Sequence, residues 1–550
     1  MYLTVRVERG PASEQGASVM VDAPFQYRSE GSNPGVLYYT RLPANMSADD
    51  VVDHIVRRDW RFVVNAEQNF IAVFVTGRGE GQSWTLVRDR YGSQRVLMTT
   101  TKHGLLVTTN PWLVRDQSTR WNPEVVRQAI ISRMLTEAAL EEGVSVLPLW
   151  HGLTFDQTVG LVEIATGAEE LTVRESRCRL SDGEAISQIK ASILESYQQL
   201  DTEQPVAILL SGGVDSFVLT ALAKQSIPRL IAYTPTWADE PNPELQRAVR
   251  FARQLDIEHR VITVAAEDFE TCFFEMIEAN GVPVRNYSSL TIHALFKAIS
   301  ERQIIYGEYA DTLFGSFAIK SGMIDQTYSA MLRWIPGILL PRRIREIAPS
   351  IERVTTNKLV DISGMDEGFV ERCLAHLGVG MAKKPNTESA ASFSRISGIE
   401  CNLRNDCCQH MVEIETSALL LGKTVVTPFY NGRMMALSNR LSTRQMFGAS
   451  GVSVRRNFRQ RTDGDVKPLL KALACEFIEP DAIYLKKLGF SIPFRKWVSH
   501  VDAVSGIQRY PGAKGAEQIW SSINLAYLAN RVAAAADSDQ QMFDSVPGCG

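Results

Sequence analysis

The run Val206-Ala-Ile-Leu-Leu-Ser-Gly-Gly-Val-Asp-Ser216, continuing as Phe217-Val-Leu-Thr-Ala-Leu-Ala223, constrains this chain more than any other stretch. An apolar segment of strand length enters a turn of small and polar residues, and an amphipathic helix leaves it. Glycines let a backbone approach a ligand closely, Ser211 and Ser216 add hydroxyl donors, and a helix N-terminus favours negative charge. Phosphate is the natural occupant of such a turn. Asp215 is needless for a mere turn and suits a magnesium ion held between phosphates. The spacing is not that of a Walker loop, which sets a Lys-Ser/Thr pair after its glycines.

Around this turn the sequence alternates strands and helices. Leu230 to Thr234 and Arg260 to Val264 read as strands, with a helix from Pro243 to Leu255 between them. A helix from Leu290 to about Glu301 is followed by a strand at Gln303 to Tyr306. This pattern predicts a parallel sheet covered on both faces, with ligands at the carboxyl ends of its strands. The first part of the chain is different. Phe70 to Thr76, Ser83 to Arg88, Arg95 to Thr99 and Gly104 to Thr109 are short β-type runs separated by polar or glycine turns, interrupted by a helix that Asn122 caps and Pro123 opens. The polar segment Arg177 to Glu184 reads as the linker, with Ser181 and Glu184 at capping-box spacing. From about residue 320 onward the pattern is mostly helical.

A length of 550 residues allows two or more domains. The net charge of -4 makes no electrostatic case for nucleic acid or a membrane surface. The eight cysteines contain no metal-type Cys-x-x-Cys pair, and no apolar run reaches the roughly 18 residues of a membrane span. Nothing near the start reads as a signal peptide, so a soluble cytoplasmic protein is the expectation.

Ser211-Gly-Gly-x-Asp-Ser216 resembles the pyrophosphate loop of the ATP pyrophosphatases, which split ATP into AMP and pyrophosphate. Further stretches are similar to asparagine synthetases in the right order. Ile305-Tyr-Gly-Glu-Tyr-Ala-Asp-Thr-Leu-Phe-Gly-Ser316 resembles their Ser-Gly-Glu-Gly-Ser-Asp-Glu-x-Phe-Gly-Gly loop, and Val426-Thr-Pro-Phe-Tyr-Asn431 their Arg-x-Pro-Phe-Leu-Asp segment. Pro480 to Pro493 resembles the Lys-x-Gly-Phe-x-x-Pro loop; Val87 to Val96 and Leu147 to Gly152 resemble the Arg-Asp-Arg-x-Gly and Leu-Pro-Pro-Gly elements. One position departs. Asparagine synthetases that use glutamine expose a cysteine as residue two, whereas this chain has Tyr2 and no cysteine before Cys178. A phenol cannot supply that nucleophile. A glutaminase-like shell without its chemistry resembles the β-lactam synthetases and lasso-peptide cyclases.

The resemblance implies an α/β plus α+β protein of two domains. Residues 1–178 would form a β-rich glutaminase-like (Ntn-type) sandwich, and residues 184–550 an adenine-nucleotide α-hydrolase-like synthetase domain with a helical C-terminal part. It implies ATP and Mg2+ as cofactors. The implied partner is a small amino-acid-derived substrate or a precursor peptide, with a second copy of the chain as a further candidate, and neither nucleic acid nor membrane.

Asp215 and Asp311 are the residues expected at magnesium, with an N-cap role for Asp311 as the alternative. Ser211, Gly212, Gly213 and Ser216 are expected at the pyrophosphate, and Thr234 at adenine through its backbone. Arg285 to Ser289 is a polar loop that lines the same pocket or caps a helix. Lys487, by its registration on Gly489 and Phe490, is expected to stabilise the oxyanion formed when an amine attacks an acyl-adenylate, with Lys486 as the alternative. Glu308 aligns with the asparagine synthetase glutamate, where β-lactam synthetases place a tyrosine. It is the expected acceptor of the amine proton, with Tyr309 next to it and a structural ion pair as the alternative role for Glu308. The reaction so implied is ATP-dependent closure of an intramolecular amide, first a β-lactam and second a peptide macrolactam. Amidation by ammonia or an external amine, and a catalytically silent scaffold, are the rival readings.

Overall fold

A computed structural model describes residues 2–9, 17–30, 34–43, 46–65, 70–77, 82–89, 92, 94–101, 104–116, 118–132, 138–156, 159–166, 180–240, 242–284, 286–315, 372–373, 410–448, 466–485 and 492–543. The first part begins with strands β1 (Thr4–Arg9), β2 (Ala17–Asp22), β3 (Phe25–Ser29) and β4 (Gly35–Arg41), then helices α1 (Ala48–Arg57) and α2 (Arg61–Asn65). Strands β5 (Ile71–Thr76), β6 (Ser83–Arg88), β7 (Leu97–Thr101) and β8 (Gly104–Thr108) follow, then α3 (Pro123–Ser132), β9 (Ser145–Val146), β10 (His151–Asp156) and β11 (Gly160–Ala165). They pair into two antiparallel sheets, in the orders β2-β1-β8-β7-β9 and β11-β10-β6-β5-β4-β3.

Alternation explains how the two sheets pack. Ile71, Val73 and Val75 of β5 face Val5, Val7, Met98 and Val107 of the other sheet, closing a sandwich core. Their neighbours Ala72 and Phe74 face the opposite way, onto Val51, Val52 and Ile55 of α1. A strand buried on both faces reads as a continuous apolar run, which is why Phe70 to Thr76 was legible. The four strands before α1 are broken by turns, and the sequence pattern did not isolate them.

The second part opens with α4 (Asp182–Tyr197), whose Ser181 and Glu184 form the expected capping box. It continues with β12 (Val206–Leu209), α5 (Val214–Ser226), β13 (Leu230–Trp237), α6 (Leu245–Gln254), β14 (Glu258–Val264), α7 (Ala266–Asn280), α8 (Tyr287–Ala298), β15 (Gln303–Ile305) and α9 (Ala310–Phe314). A later strand, β16 (Thr424–Val426), completes a five-stranded sheet of order β14-β13-β12-β15-β16. Every pairing in it is parallel. Residues of α4, α5 and α6 cover one face, while Ile292, Leu295, Phe296 and Ile299 of α8 cover the other. Helix α8 starts at Tyr287, three residues before the sequence expectation, because the Asn286 side chain accepts from Ser288 N at 3.1 Å and caps it.

The chain runs outward from β12 to β13 and β14, then returns to place β15 on the other side of β12. That reversal splays the two connections apart and opens a crevice at the carboxyl ends of β12 and β15. The two parts meet on the C-terminal end of α7. There the Tyr2 hydroxyl donates to Ala279 O at 2.9 Å and Trp112 Nε1 to Glu278 O at 2.6 Å. Gly281, at φ 60°, ends α7; a Cβ on it would lie 2.3 Å from Pro111 Cγ. No helix among the described residues is long and apolar enough to cross a membrane.

Candidate active site

The crevice between β12 and β15 holds a cavity of about 460 Å³, and most of the expected site residues line it. Strand β12 delivers the turn Ser211 to Gly213 to the start of α5. Gly212 sits at φ +85°, and a Cβ there would meet Glu244 O at 2.6 Å, so the close approach of the turn to α6 requires glycine. Within the turn the hydroxyls serve the backbone. Ser211 N donates to Ser216 Oγ at 3.1 Å, Gly213 N donates to Ser211 Oγ at 3.3 Å, and Ser216 Oγ donates to Gly213 O at 3.1 Å. Gly213 is the N-cap of α5 and supplies no side-chain cap, so the 13-residue helix points uncapped amides at the cavity.

Asp215, in the first turn of α5, and Asp311, in the first turn of α9, converge from the two sides of the crevice. What joins them is Lys467. Its ammonium contacts Asp215 Oδ2 and Asp311 Oδ1, and its side chain is 4 % exposed. Burial pulls the ammonium toward deprotonation, but the two carboxylates outweigh burial and hold its pKa above the ordinary lysine value. Asp311 is not the cap of α9; Tyr309, at φ 73°, occupies that position. The second oxygen of Asp215, Oδ1, is buried and has no hydrogen-bond partner. Two convergent carboxylates with an orphaned buried oxygen are a donor set that fits a hard divalent cation.

Sequence reasoning missed Lys467. It stands before Pro468 at the N-cap of helix Pro468–Ala474, with φ 58°. A cation at a helix N-terminus opposes the macrodipole, and Ser, Thr, Asp or Asn is the usual choice there. That misfit is the signal that would have found it. Lys487 and Lys486 lie outside the described residues, as does Arg285. Arg247 and Lys471 also line the cavity and were not foreseen.

Glu308 follows β15 and faces the cavity, its side chain 29 % exposed. Tyr306 Oη donates to its Oε2 at 2.6 Å, and His410 Nε2 lies 3.1 Å from the same oxygen. Burial raises the pKa of this carboxyl, but the His410 charge and the hydrogen bonds from His410 and Tyr306 override it and hold the group below the usual range. The neighbouring Tyr309 is 1 % exposed, and its ring stacks on Tyr430 with centroids 4.6 Å apart. Glu308 and Tyr309 both line the cavity. From the Arg285 to Ser289 loop, Asn286 and Ser288 line the cavity. Thr234 is buried, and its hydroxyl donates to Leu210 O and lies 2.8 Å from His259 Nε2. Its neighbours Tyr233 and Pro235 line the cavity, as strand alternation requires.

Tyr2 is remote from this chemistry. Burial and the charge of Glu278 push its phenol up to about 12. A cluster of Cys272, Glu275 and His293 gathers ligand atoms within 4.8 Å, but Lys297 Nζ binds both oxygens of Glu275, at 2.7 and 2.9 Å. That carboxylate is already neutralised.

Comparison with known proteins fits the geometry. A provisionally named glutamine-hydrolyzing asparagine synthetase of Mycobacterium bovis is 26 % identical over 191 residues, covering 34 % of this chain and 26 % of the relative. A glutamine-hydrolyzing asparagine synthetase of Bacillus subtilis is 20 % identical over 342 residues, covering 57 % of this chain and 51 % of the relative. The alignments thus span about a quarter to a half of these relatives. Among solved structures, an NH3-dependent NAD synthetase from Campylobacter jejuni aligns with 13 % identity over 38 % of this chain and 100 % of its own, at a TM-score of 0.20. A score that low leaves the fold to be read from the strand order. The asparagine synthase family model matches residues 188–506, more than half of the chain and the whole of the crevice, and the protein belongs to that family.

Proposed function

We propose that this protein is an ATP-dependent amide synthetase that adenylates a substrate carboxylate, releasing pyrophosphate, and then joins the acyl group to an amine, releasing AMP. The observation that carries this reading is the meeting of the Ser211 to Ser216 turn, Asp215, Asp311, Lys467 and Glu308 in one cavity. Mg2+, held by Asp215 and Asp311, would neutralise the triphosphate and align it for attack. The amides of the turn and the α5 N-terminus hold phosphate oxygens. Lys467 is placed to move from the carboxylates onto the oxyanion that develops as the amine attacks, and its burial strengthens that interaction. Lys487, from the Lys-x-Gly-Phe resemblance, is the second candidate for that charge.

The amine is proposed to come from the substrate itself. Residues 2–166 contain no cysteine, and the Tyr2 hydroxyl is committed to Ala279 O, so the cysteine chemistry of glutamine hydrolysis has no counterpart at residue two. An intramolecular amine also has a high effective concentration. A small β-lactam precursor is the first choice and a peptide closing into a macrolactam the second. Glu308 favours one further reading, attack by ammonia or an external amine, because it aligns with the asparagine synthetase glutamate.

Exchange of labelled pyrophosphate into ATP tests the reading. The purified protein is given β-amino acids, linear peptides with a free side-chain carboxylate, or aspartate with ammonium chloride. Exchange with one class, and its amide with AMP, is expected. No exchange with any of them would sink the adenylation reading, and amide from aspartate and ammonium alone would replace the intramolecular one.

A further inference from the structure

Away from the crevice, a second and much smaller space lies where the first part of the protein meets the end of α7. This cavity, of about 20 Å³, is lined by Arg95, Thr109, Arg115 and Glu141 of the first part and by Asn280 and Val282 at the end of α7. It has room for one small particle, since a single water-sized occupant needs roughly 10–15 Å³. None of these residues lines the crevice.

We propose that this cavity is a binding site for a single halide-sized anion, held between Arg115 of the first part and Asn280 of α7. Arg115 follows the short helical turn Pro111–Val114, and its side chain is 3 % exposed. Its Nε donates to Glu141 Oε1 at 2.6 Å, and its Nη2 donates to Gly281 O. The remaining nitrogen, Nη1, is buried and has no hydrogen-bond partner among the described residues. Asn280 is arranged alike. Its Oδ1 accepts from Thr416 Oγ1 at 2.7 Å, while Nδ2 is buried and has no partner among the described residues. The guanidinium is held in place by its surroundings. Its centre lies 4.7 Å from the Trp112 ring and 5.6 Å from that of Trp121, and a Cβ on Gly281 would come 3.1 Å from Nη1. A buried donor left unpaired is costly, and more so on a charged group.

Two such donors, one from each side of a small cavity, ask for an acceptor. Water accepts, but it brings two protons that need acceptors in turn. Glu141 already takes the Arg115 Nε proton, and the Thr109 hydroxyl is engaged with Leu3, accepting from its N at 2.9 Å and donating to its O at 3.4 Å. A monatomic anion accepts from every donor around it and brings no proton. The guanidiniums of Arg115 and Arg95, the latter anchored by Nη2 on Ala138 O, favour its charge. The negative end of the α7 dipole would oppose an anion, but its carbonyls are already answered. Tyr2 Oη donates to Ala279 O, Trp112 Nε1 to Glu278 O and Arg115 Nη2 to Gly281 O. An anion shared by Arg115 and Asn280 would tie the first part to the end of α7, so its binding should stabilise that junction.

The test melts the full chain while chloride replaces gluconate at constant ionic strength, gluconate being too large for the cavity. The wild-type midpoint should rise by about 2 °C or more from about 1 to about 100 mM chloride. Asn280→Asp, which turns a carboxylate onto the same space, should abolish the dependence. Asn280→Leu removes the donor without adding charge and should weaken halide binding about tenfold or more. Crystals grown in bromide should show an anomalous peak between Arg115 and Asn280. An ordered water there with no bromide peak would overturn the site. A wild-type midpoint that does not move as chloride replaces gluconate would mean an adventitious ion only, and would overturn it too. So would a chloride-dependent rise that persists in full in both variants, since that is binding elsewhere. Should neither variant fold, the bromide peak and the halide-specific midpoint of the wild type decide together. The site stands or falls on these readouts alone, since none of them involves adenylation.

Discussion

The hydroxyl of Tyr2 donates to the main-chain carbonyl of Ala279, 2.9 Å away and 277 residues later in the chain. At the position where glutamine-using asparagine synthetases expose a cysteine, this side chain ties the first part of the protein to the end of α7. Tyr2→Phe keeps the ring and removes the tie, leaving a carbonyl in a half-buried interface without its donor. A loss of about 1 kcal/mol is expected, read as a lower urea midpoint with unchanged pyrophosphate exchange. A fall in exchange at full stability would give Tyr2 a role in the chemistry after all. Tyr2→Cys should release no glutamate from glutamine.

Gly212→Ala tests the turn. At φ +85° a non-glycine residue costs about 1–3 kcal/mol, and here its Cβ also meets Glu244 O at 2.6 Å. The turn should shift away from α6 and lower pyrophosphate exchange at least about tenfold, since the amides no longer share one phosphate position. Wild-type exchange in this variant would mean that the turn does not hold phosphate.

The parts of the site that the sequence made legible are local ones. Ser211 to Ser216 announces itself because strand, glycine pair, acid and helix fall within one short run, and the βα alternation places its end at a sheet edge. Glu308 and Asp311 are legible because they follow a strand in the same way. Lys467 and His410 belong to a different kind of information. Each reaches the crevice from a distant helix terminus, and only the packing of Leu469 and Leu470 on the core beside α5 brings Lys467 to Asp215. A lysine before proline and a histidine three residues before a glutamate have no periodicity to mark them. Thr234 shows a finer limit, because strand position was readable while the face its side chain takes depends on register. In the first part, β5 was plain because both its faces are buried, whereas β2 and β3, at the sheet edges, left no such run.

Glu308→Gln separates charge from shape. The variant keeps size and hydrogen bonding but cannot accept a proton, so amide formation should drop by about a hundredfold or more while exchange survives. The folded pKa of Glu308 lies below its ordinary value, so its contribution to stability is complete above about pH 4.3 and lost as pH falls through the folded value. The stability gap between wild type and variant should therefore narrow below that pH. Urea midpoints at pH 7 and pH 3.5 give the comparison; a gap that widens in acid would contradict the ion pair with His410.

Lys467→Met is the sharpest test of the cavity. The substitution keeps the apolar stem and removes the ammonium that holds Asp215 and Asp311 together. If that ammonium meets the developing oxyanion, amide formation should fall by about a hundredfold or more, and acyl-adenylate should accumulate and be visible by mass spectrometry. Exchange should suffer less, because magnesium can replace the lost charge between the two carboxylates, and the magnesium requirement for exchange should ease. Stability has its own signature. The folded pKa of Lys467 is raised, so its contribution is full below about pH 10.5 and lost as pH rises through the folded value; the wild-type decline above that pH should be shallower in the variant. Lys487→Met is the companion measurement. A loss of ring closure confined to Lys487→Met would move the oxyanion role to Lys487 and leave Lys467 as the strut between the carboxylates.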